Sequence, residues 1–204
     1  MRTIKIYLLL IIGLMISVTM FAQLPISFGV KAGMNLSEIQ KLDDNIKVGF
    51  NVGVTAEMDL PASCFLLSGL ELTTKGAKSK EITGGAVGGS NSAKATLNAM
   101  YLQLPVHVGY KMDIAPGTKL LFHVGPYFAY GIGGKIKWDA DNIEDSDFFS
   151  DNSNRFDFGV GGAIGVEFID RIAVNLGADQ GLTKVFKDTE TKNRAAYLSV
   201  GYKF

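Results

Sequence analysis

After residue 23, apolar and polar residues alternate one by one along most of the chain. The clearest stretch runs from Met100 to Met112. Met100, Leu102, Leu104, Val106, Val108, Tyr110 and Met112 share one parity, and Tyr101, Gln103, Pro105, His107, Gly109 and Lys111 share the other. Period two marks a β-strand with two unlike faces, because successive side chains leave a sheet on opposite sides; a helix would scatter the same residues around its axis. Seven more segments follow the rule, at residues 26–35, 48–58, 65–74, 120–132, 156–168, 172–179 and 197–204, the third of them blurred.

The two faces differ in a way that decides the class. One is almost wholly apolar and large, while the other mixes Gly, Ser and Asn with Lys31, Glu57, Glu71, Lys111, Glu167 and Lys203. A water-soluble barrel or sandwich with an ordinary core cannot use both faces well, since unpaired charges are costly to bury. Turning the apolar face to lipid and the mixed face to a small interior removes the conflict. A closed antiparallel barrel is the sheet that can cross a bilayer, because closure leaves no unpaired edge. The connections point the same way. They alternate long (residues 36–46, 75–95, 138–154, 184–193) and short (59–63, 113–118, 169–171). The expected fold is all-β, an eight-stranded antiparallel up-and-down transmembrane β-barrel with long outer loops and short periplasmic turns. A soluble, lipocalin-like binding barrel is the competing class, and it would partition into buffer on lysis.

Residues 1–22 read as a secretory signal peptide, with Arg2 and Lys5 as the positive end, an apolar run from Ile6 to Ile16 and a cleavage site at Met20-Phe21-Ala22. Residues 23–204 are then the barrel domain. The chain holds 20 Lys+Arg against 20 Asp+Glu, so loss of Arg2 and Lys5 leaves 18 against 20, a net charge of −2. Nothing here suggests nucleic acid, which calls for a basic stripe. One Cys excludes an internal disulfide, and two His without HExxH spacing argue against a His-based metal enzyme. With no GxSxG, P-loop or Cys cluster, neither an enzyme nor a cofactor is expected.

The inward parity supplies the candidate site. Lys31, Glu57, Lys111, Glu167 and Lys203 are expected to form one structural polar cluster in the periplasmic half of the interior. Truncating one partner there, as in Glu57→Leu, would strand a buried charge at about 3–5 kcal/mol. His107 and His123 share that parity on consecutive strands and are expected as polar filling. The loop at 138–154 carries Asp139, Asp141, Glu144, Asp145, Asp147 and Asp151 without Lys or Arg, and is expected to be a solvated acidic loop linked to neighbouring lipopolysaccharide by divalent ions. Calcium binding is the sharper reading of that loop. Gly84-Gly85 and Gly88-Gly89 mark a flexible outer tip, and Cys64 a small structural residue.

Several pieces resemble the PorT-like family of small outer-membrane barrels of Bacteroidetes. They are residues 29–37 (GVKAGMNLS), 49–53 (GFNVG), 71–76 (ELTTKG), 101–106 (YLQLPV), 125–127 (GPY), 181–183 (GLT) and 201–204 (GYKF). The resemblance covers nearly all of residues 23–204 and implies a bacterial outer-membrane location. It implies an accessory role in secretion through the family's name-giving member, which is tied to a type IX pathway. Phe204, with Tyr202 two residues before it, has the form of the signal read by the barrel-assembly machinery. The expected function is structural or interactive, an accessory to secretion or envelope assembly with an envelope or secretion protein as partner; the alternative is a narrow channel or small-ligand-binding barrel.

Overall fold

The fold comes from a computed structural model of the protein, in which residues 25–39, 44–79, 82–83, 92–93, 95–138, 146–149, 153–186 and 190–204 are described. The leader expected at 1–22, the tip around Gly84-Gly85 and Gly88-Gly89, and Asp139, Asp141, Glu144, Asp145 and Asp151 lie outside the described residues.

Eight long strands carry the fold: β1 (Ile26–Ile39), β2 (Lys47–Asp59), β3 (Cys64–Ser79), β4 (Ala95–Ala115), β5 (Thr118–Trp138), β6 (Phe156–Phe168), β7 (Ile172–Gly181) and β8 (Asn193–Lys203). Each pairs antiparallel with the next, and β8 pairs back onto β1 with Lys203 opposite Gly29 and Asn193 opposite Ile39. The ring is therefore closed. Its stagger can be walked pair by pair. Phe28 faces Ala56, Ala56 faces Ser68, and Ser68 faces Val106. Val106 and Pro126 stand one residue beyond the Pro105–Tyr127 pair. Pro126 faces Val160, Val160 faces Gln180, Gln180 faces Arg194, and Arg194 faces Glu38. The walk leaves β1 at Phe28 and returns at Glu38, an offset of 38 − 28 = 10 residues. With ordinary strand rise and spacing, that offset over eight strands sets a tilt of about 41° and a radius of about 8 Å, a lumen that side chains can fill.

The apolar parity points outward on every strand. Phe28, Met34, Val54, Leu102, Val108, Tyr110, Val124 and Leu198 are all exposed, Val124 by 63 %, and Val106 lies in the same outer belt. Lys31 and Glu57 face the axis. Such a continuous apolar belt is untenable in water and suited to hydrocarbon. No helix among the described residues is long and apolar enough to cross a membrane.

Three short turns close one end. Ala62 and Ser63 (φ 61° and 60°), Gly117 (φ 70°), and Ile169 and Asp170 (φ 49° and 56°) supply the left-handed backbone these tight reversals need. The strands run further toward the other end than their alternation predicts. β4 covers Ala95–Ala115 rather than 100–112, and β3 continues through Lys75 to Ser79, a stretch expected as loop. The reason is that these outer extensions no longer alternate cleanly. Thr73, Thr74 and Lys75 are all buried in succession, and β4 shifts register between Met100 and Tyr101.

Candidate functional site: the closed lumen

The inward residues form stacked layers. At the periplasmic end, Lys111 Nζ donates to Glu57 Oε1 (2.6 Å) and Asp59 Oδ1 (2.7 Å), and Lys203 Nζ donates to Glu57 Oε1 (3.1 Å) and Glu167 Oε2 (2.9 Å). Outside this cluster, on the turn, the hydrogen bond and charge of Lys119 hold the Asp170 carboxyl below the usual carboxylate range. Beside the cluster is a cavity of about 70 Å³ whose lining includes Lys31, Glu57, His123, Glu167, Tyr197 and Lys203. It has room for a few waters.

The next layer holds Lys31 paired with Glu71 (2.5 Å), and the two histidines. His107 Nδ1 and His123 Nδ1 are 2.9 Å apart, with the rings stacked at 5.1 Å. Their neighbours make the room. A Cβ on Gly109, paired with His123, would run into the Phe65 ring, and one on Gly125 would stand 3.0 Å from the His107 ring.

Above the middle, Asp157 gathers Lys75 Nζ (3.1 Å), Asn193 Nδ2 (3.0 Å), Thr183 Oγ1 (2.9 Å) and Tyr127 Oη (3.3 Å). The Lys75 ammonium also lies 4.2 Å from the Tyr127 ring centre and 5.4 Å from that of Tyr101. Where β2 and β3 diverge, side chains replace the ladder. Asn35 Nδ2 donates to Thr74 O (2.8 Å), and Thr74 Oγ1 accepts from Phe50 N (2.9 Å). The outer mouth is lidded by Phe148 and Phe149, folded in with Val185 and Ile39 over Tyr101 and Tyr127. Ser146–Asp147 pairs with the end of β5 and aims the two rings inward, and Gly131 receives the tip of Phe149.

Of the residues expected in one cluster, Glu57, Lys111, Glu167 and Lys203 come together. Lys31 does not: it sits one layer deeper and pairs with Glu71, because parity fixes the face but depth follows from register, and Lys31 and Glu71 both stand opposite Gly53. Asp59 joins the cluster unforeseen. The Lys75–Asp157 hub and the phenylalanine lid were also missed. Asp157 was legible as an inward charge flanked by Phe156 and Phe158, whereas nothing in the alternation marks Lys75 or the lid. Cys64 is a free thiol at the start of β3. The carboxylates of the loop expected to be solvated and acidic lie outside the described residues except Asp147, which is exposed.

Among solved structures, Neisserial surface protein A is 15 % identical with a TM-score of 0.50, over 88 % of this chain and 97 % of that one. A major outer membrane protein from Thermus thermophilus is 15 % identical with a TM-score of 0.49, over 88 % and 100 %. No curated protein matches the chain. Residues 21–187 match the family model described as an outer membrane protein beta-barrel domain. With the closed eight-stranded ring and its apolar belt, that match places the protein in the bacterial outer membrane, and the chain belongs to the outer membrane protein beta-barrel domain family.

Proposed function

We propose that this barrel is a non-conducting envelope protein that acts through the surfaces it presents rather than through its lumen, as a structural or interaction component accessory to secretion or envelope assembly. The observation that carries the reading is the stack across the lumen: a charged cluster, a Lys31–Glu71 layer, the Lys75–Asp157 hub and a lid of Phe148 and Phe149. Four successive barriers across the lumen count against a continuous aqueous path. A catalytic role is disfavoured because both histidines are buried within the lumen and face each other through Nδ1. The cavity of about 70 Å³ is small beside drug-sized ligand pockets of roughly 300–1,000 Å³, which counts against the small-ligand alternative. The PorT-like resemblance supports the secretion role and an envelope or secretion partner. The apolar belt suits lipid and lipopolysaccharide, and exposed Phe204 beside Tyr202 suits the assembly machinery. Single-channel recording in planar bilayers tests the core of the reading. The expected result is a flat baseline at barrel densities confirmed by heat-modified migration; reproducible conductance steps would overturn it.

A further inference from the structure

A second, smaller cavity of about 20 Å³ lies inside the wall of the lumen, and Asn35, Asn51, Gln103, His107 and Asp179 are among its lining residues. Its polar lining is mostly acceptor, and Lys31, the one cation among the lining residues, is paired with Glu71. Asn35 Oδ1, Asn51 Oδ1 and Gln103 Oε1 are buried acceptors without a partner, and His107 Nε2 is a buried ring nitrogen without one. The four side chains that bear them are between 2 % and 5 % exposed. Two of the amide orientations are fixed from the other side. Asn35 gives its NH₂ to Thr73 Oγ1 (3.0 Å) and Thr74 O (2.8 Å), and Gln103 gives its NH₂ to Asp179 Oδ2 (2.9 Å), so their oxygens are left over. The Nδ1 atoms of His107 and His123 face each other, so one ring must donate and the other accept; where His107 is the donor, its Nε2 is a bare lone pair turned to the cavity.

Asp179 adds the charge. It is 8 % exposed, and the hydrogen bond from Gln103 is the one it receives among the described residues, with no Lys or Arg paired to it. Glu71, which also lines the cavity, is already paired with Lys31. A buried carboxylate without an ion pair, beside three orphan carboxamide oxygens, is costly as it stands. One water fits the volume but donates only two hydrogen bonds, so it leaves acceptors unmet and the charge unbalanced. A cation answers both.

We infer that this cavity is a binding site for one divalent first-row metal ion, held by His107 Nε2, the Asp179 carboxylate and the carboxamide oxygens of Asn51 and Gln103. The mixture of one imidazole with oxygen donors suits an ion of the Mn²⁺ or Zn²⁺ kind. No group of three His, Cys, Asp or Glu side chains converges among the described residues, so the carboxamides must complete the set. His123 is then the outer partner that orients the ligating imidazole, a common arrangement at metal-binding histidines. Entry is from the periplasmic end, since Lys31 and Tyr197 line both this cavity and the larger one.

The test uses the full barrel refolded in detergent, stripped with chelator and titrated by calorimetry with MnCl₂ and with ZnCl₂. The expected result is one ion per chain for at least one of the two, weakened tenfold or more by Asp179→Asn and by His107→Phe, and unchanged by Asn175→Leu in the larger cavity. In the unsubstituted barrel, the ion that binds should act on the imidazole signals of His107 and His123, the two histidines of the chain, ahead of the rest, Mn²⁺ by broadening them and Zn²⁺ by shifting them; this readout stands even if the variants fail to fold. Absence of binding of both ions by a folded barrel, imidazole signals that neither ion perturbs, or binding undiminished in both variants, as an ion held by the acidic loop would give, overturns the site.

Discussion

Removing the charge of Asp157 should be the most damaging single change among the ion pairs of the lumen. The substitution Asp157→Asn keeps the size of the side chain and deletes the anion that faces Lys75. Among the described residues Lys75 has no second carboxylate paired with it: its ion pair there is with Asp157, its side chain is 2 % exposed, and its ammonium also faces the rings of Tyr127 and Tyr101. Breaking a buried pair from one side costs about 3–5 kcal/mol. The ring contacts survive and keep part of the ammonium's stabilisation, which places the expected loss at about 3 kcal/mol. The amide also turns an NH₂ toward Asn193, Thr183 or Tyr127, which now donate to the carboxylate. Glu57 makes the contrast. Lys111 keeps Asp59 and Lys203 keeps Glu167 when Glu57 is lost, so Glu57→Gln should cost about 1–2 kcal/mol. That is below the roughly 3–5 kcal/mol expected when each charge is given a single partner. The assay is reversible urea unfolding in lipid vesicles, followed by the fluorescence of Trp138, the one tryptophan of the chain. Lys75→Met combined with Asp157→Leu should recover to within about 1 kcal/mol of the unsubstituted barrel, because an apolar pair of similar volume replaces a buried ion pair at little cost. Equal losses for Asp157→Asn and Glu57→Gln, or a double variant no better than Asp157→Asn, would refute the reasoning.

Two further outcomes follow from the layering and the belt. Phe148→Ala, which empties a ring 1 % exposed in the lid, should lower stability by about 3 kcal/mol yet leave bilayer recordings silent, since the Lys75–Asp157 hub lies beneath; conductance in this variant would show the lid to be the sole seal. Val124→Lys on the lipid face should cost about 2–4 kcal/mol in the same vesicle unfolding assay, whereas a neutral outcome would mean that this part of β5 lies outside the hydrocarbon.

Parity carried most of the fold in the sequence, because lipid on one side and a packed lumen on the other impose different chemistry on alternate residues. Leu102 and Tyr110 could be placed outside, and Lys31 and Glu57 inside, without knowing any strand's partner. What parity lacks is depth. Lys31 meets Glu71 rather than Glu57 only because of how β1, β2 and β3 are staggered, and a ten-residue stagger around the ring is not written in any one segment. The Lys75–Asp157 hub is harder still. Lys75 lies where β3 buries five consecutive residues, Thr73 to Ala77, so the alternation that would identify an inward side chain fails at that point. The lid was invisible for another reason: Phe148 and Phe149 come from a loop, and two adjacent phenylalanines amid acidic residues have no period to read.

The polar lumen should also matter before folding. A barrel filled with leucine would satisfy its own interior at least as well as one filled with paired charges, since buried ion pairs add little net stability over apolar packing. Its strands, however, would become continuous apolar runs, and about 18 such residues are read as a membrane-spanning helix. β4 is the strand most at risk. Residues 95–112 contain few polar side chains beyond Thr96, Asn98, Gln103, His107 and Lys111. Replacing Asn98, Gln103, His107 and Lys111 together by Leu should therefore arrest the exported chain, expressed behind a secretory leader, in the cytoplasmic membrane, with little reaching the outer-membrane fraction. Four polar-to-leucine changes spread over β1, β2, β6 and β8, one per strand (Asn35, Asn51, Asp157 and Ser199), create no such run and should weaken the folded barrel without redirecting it. Fractionation on a density gradient separates the cases. If both quadruple variants appear in the same membrane, the lumen's polarity serves the folded state alone.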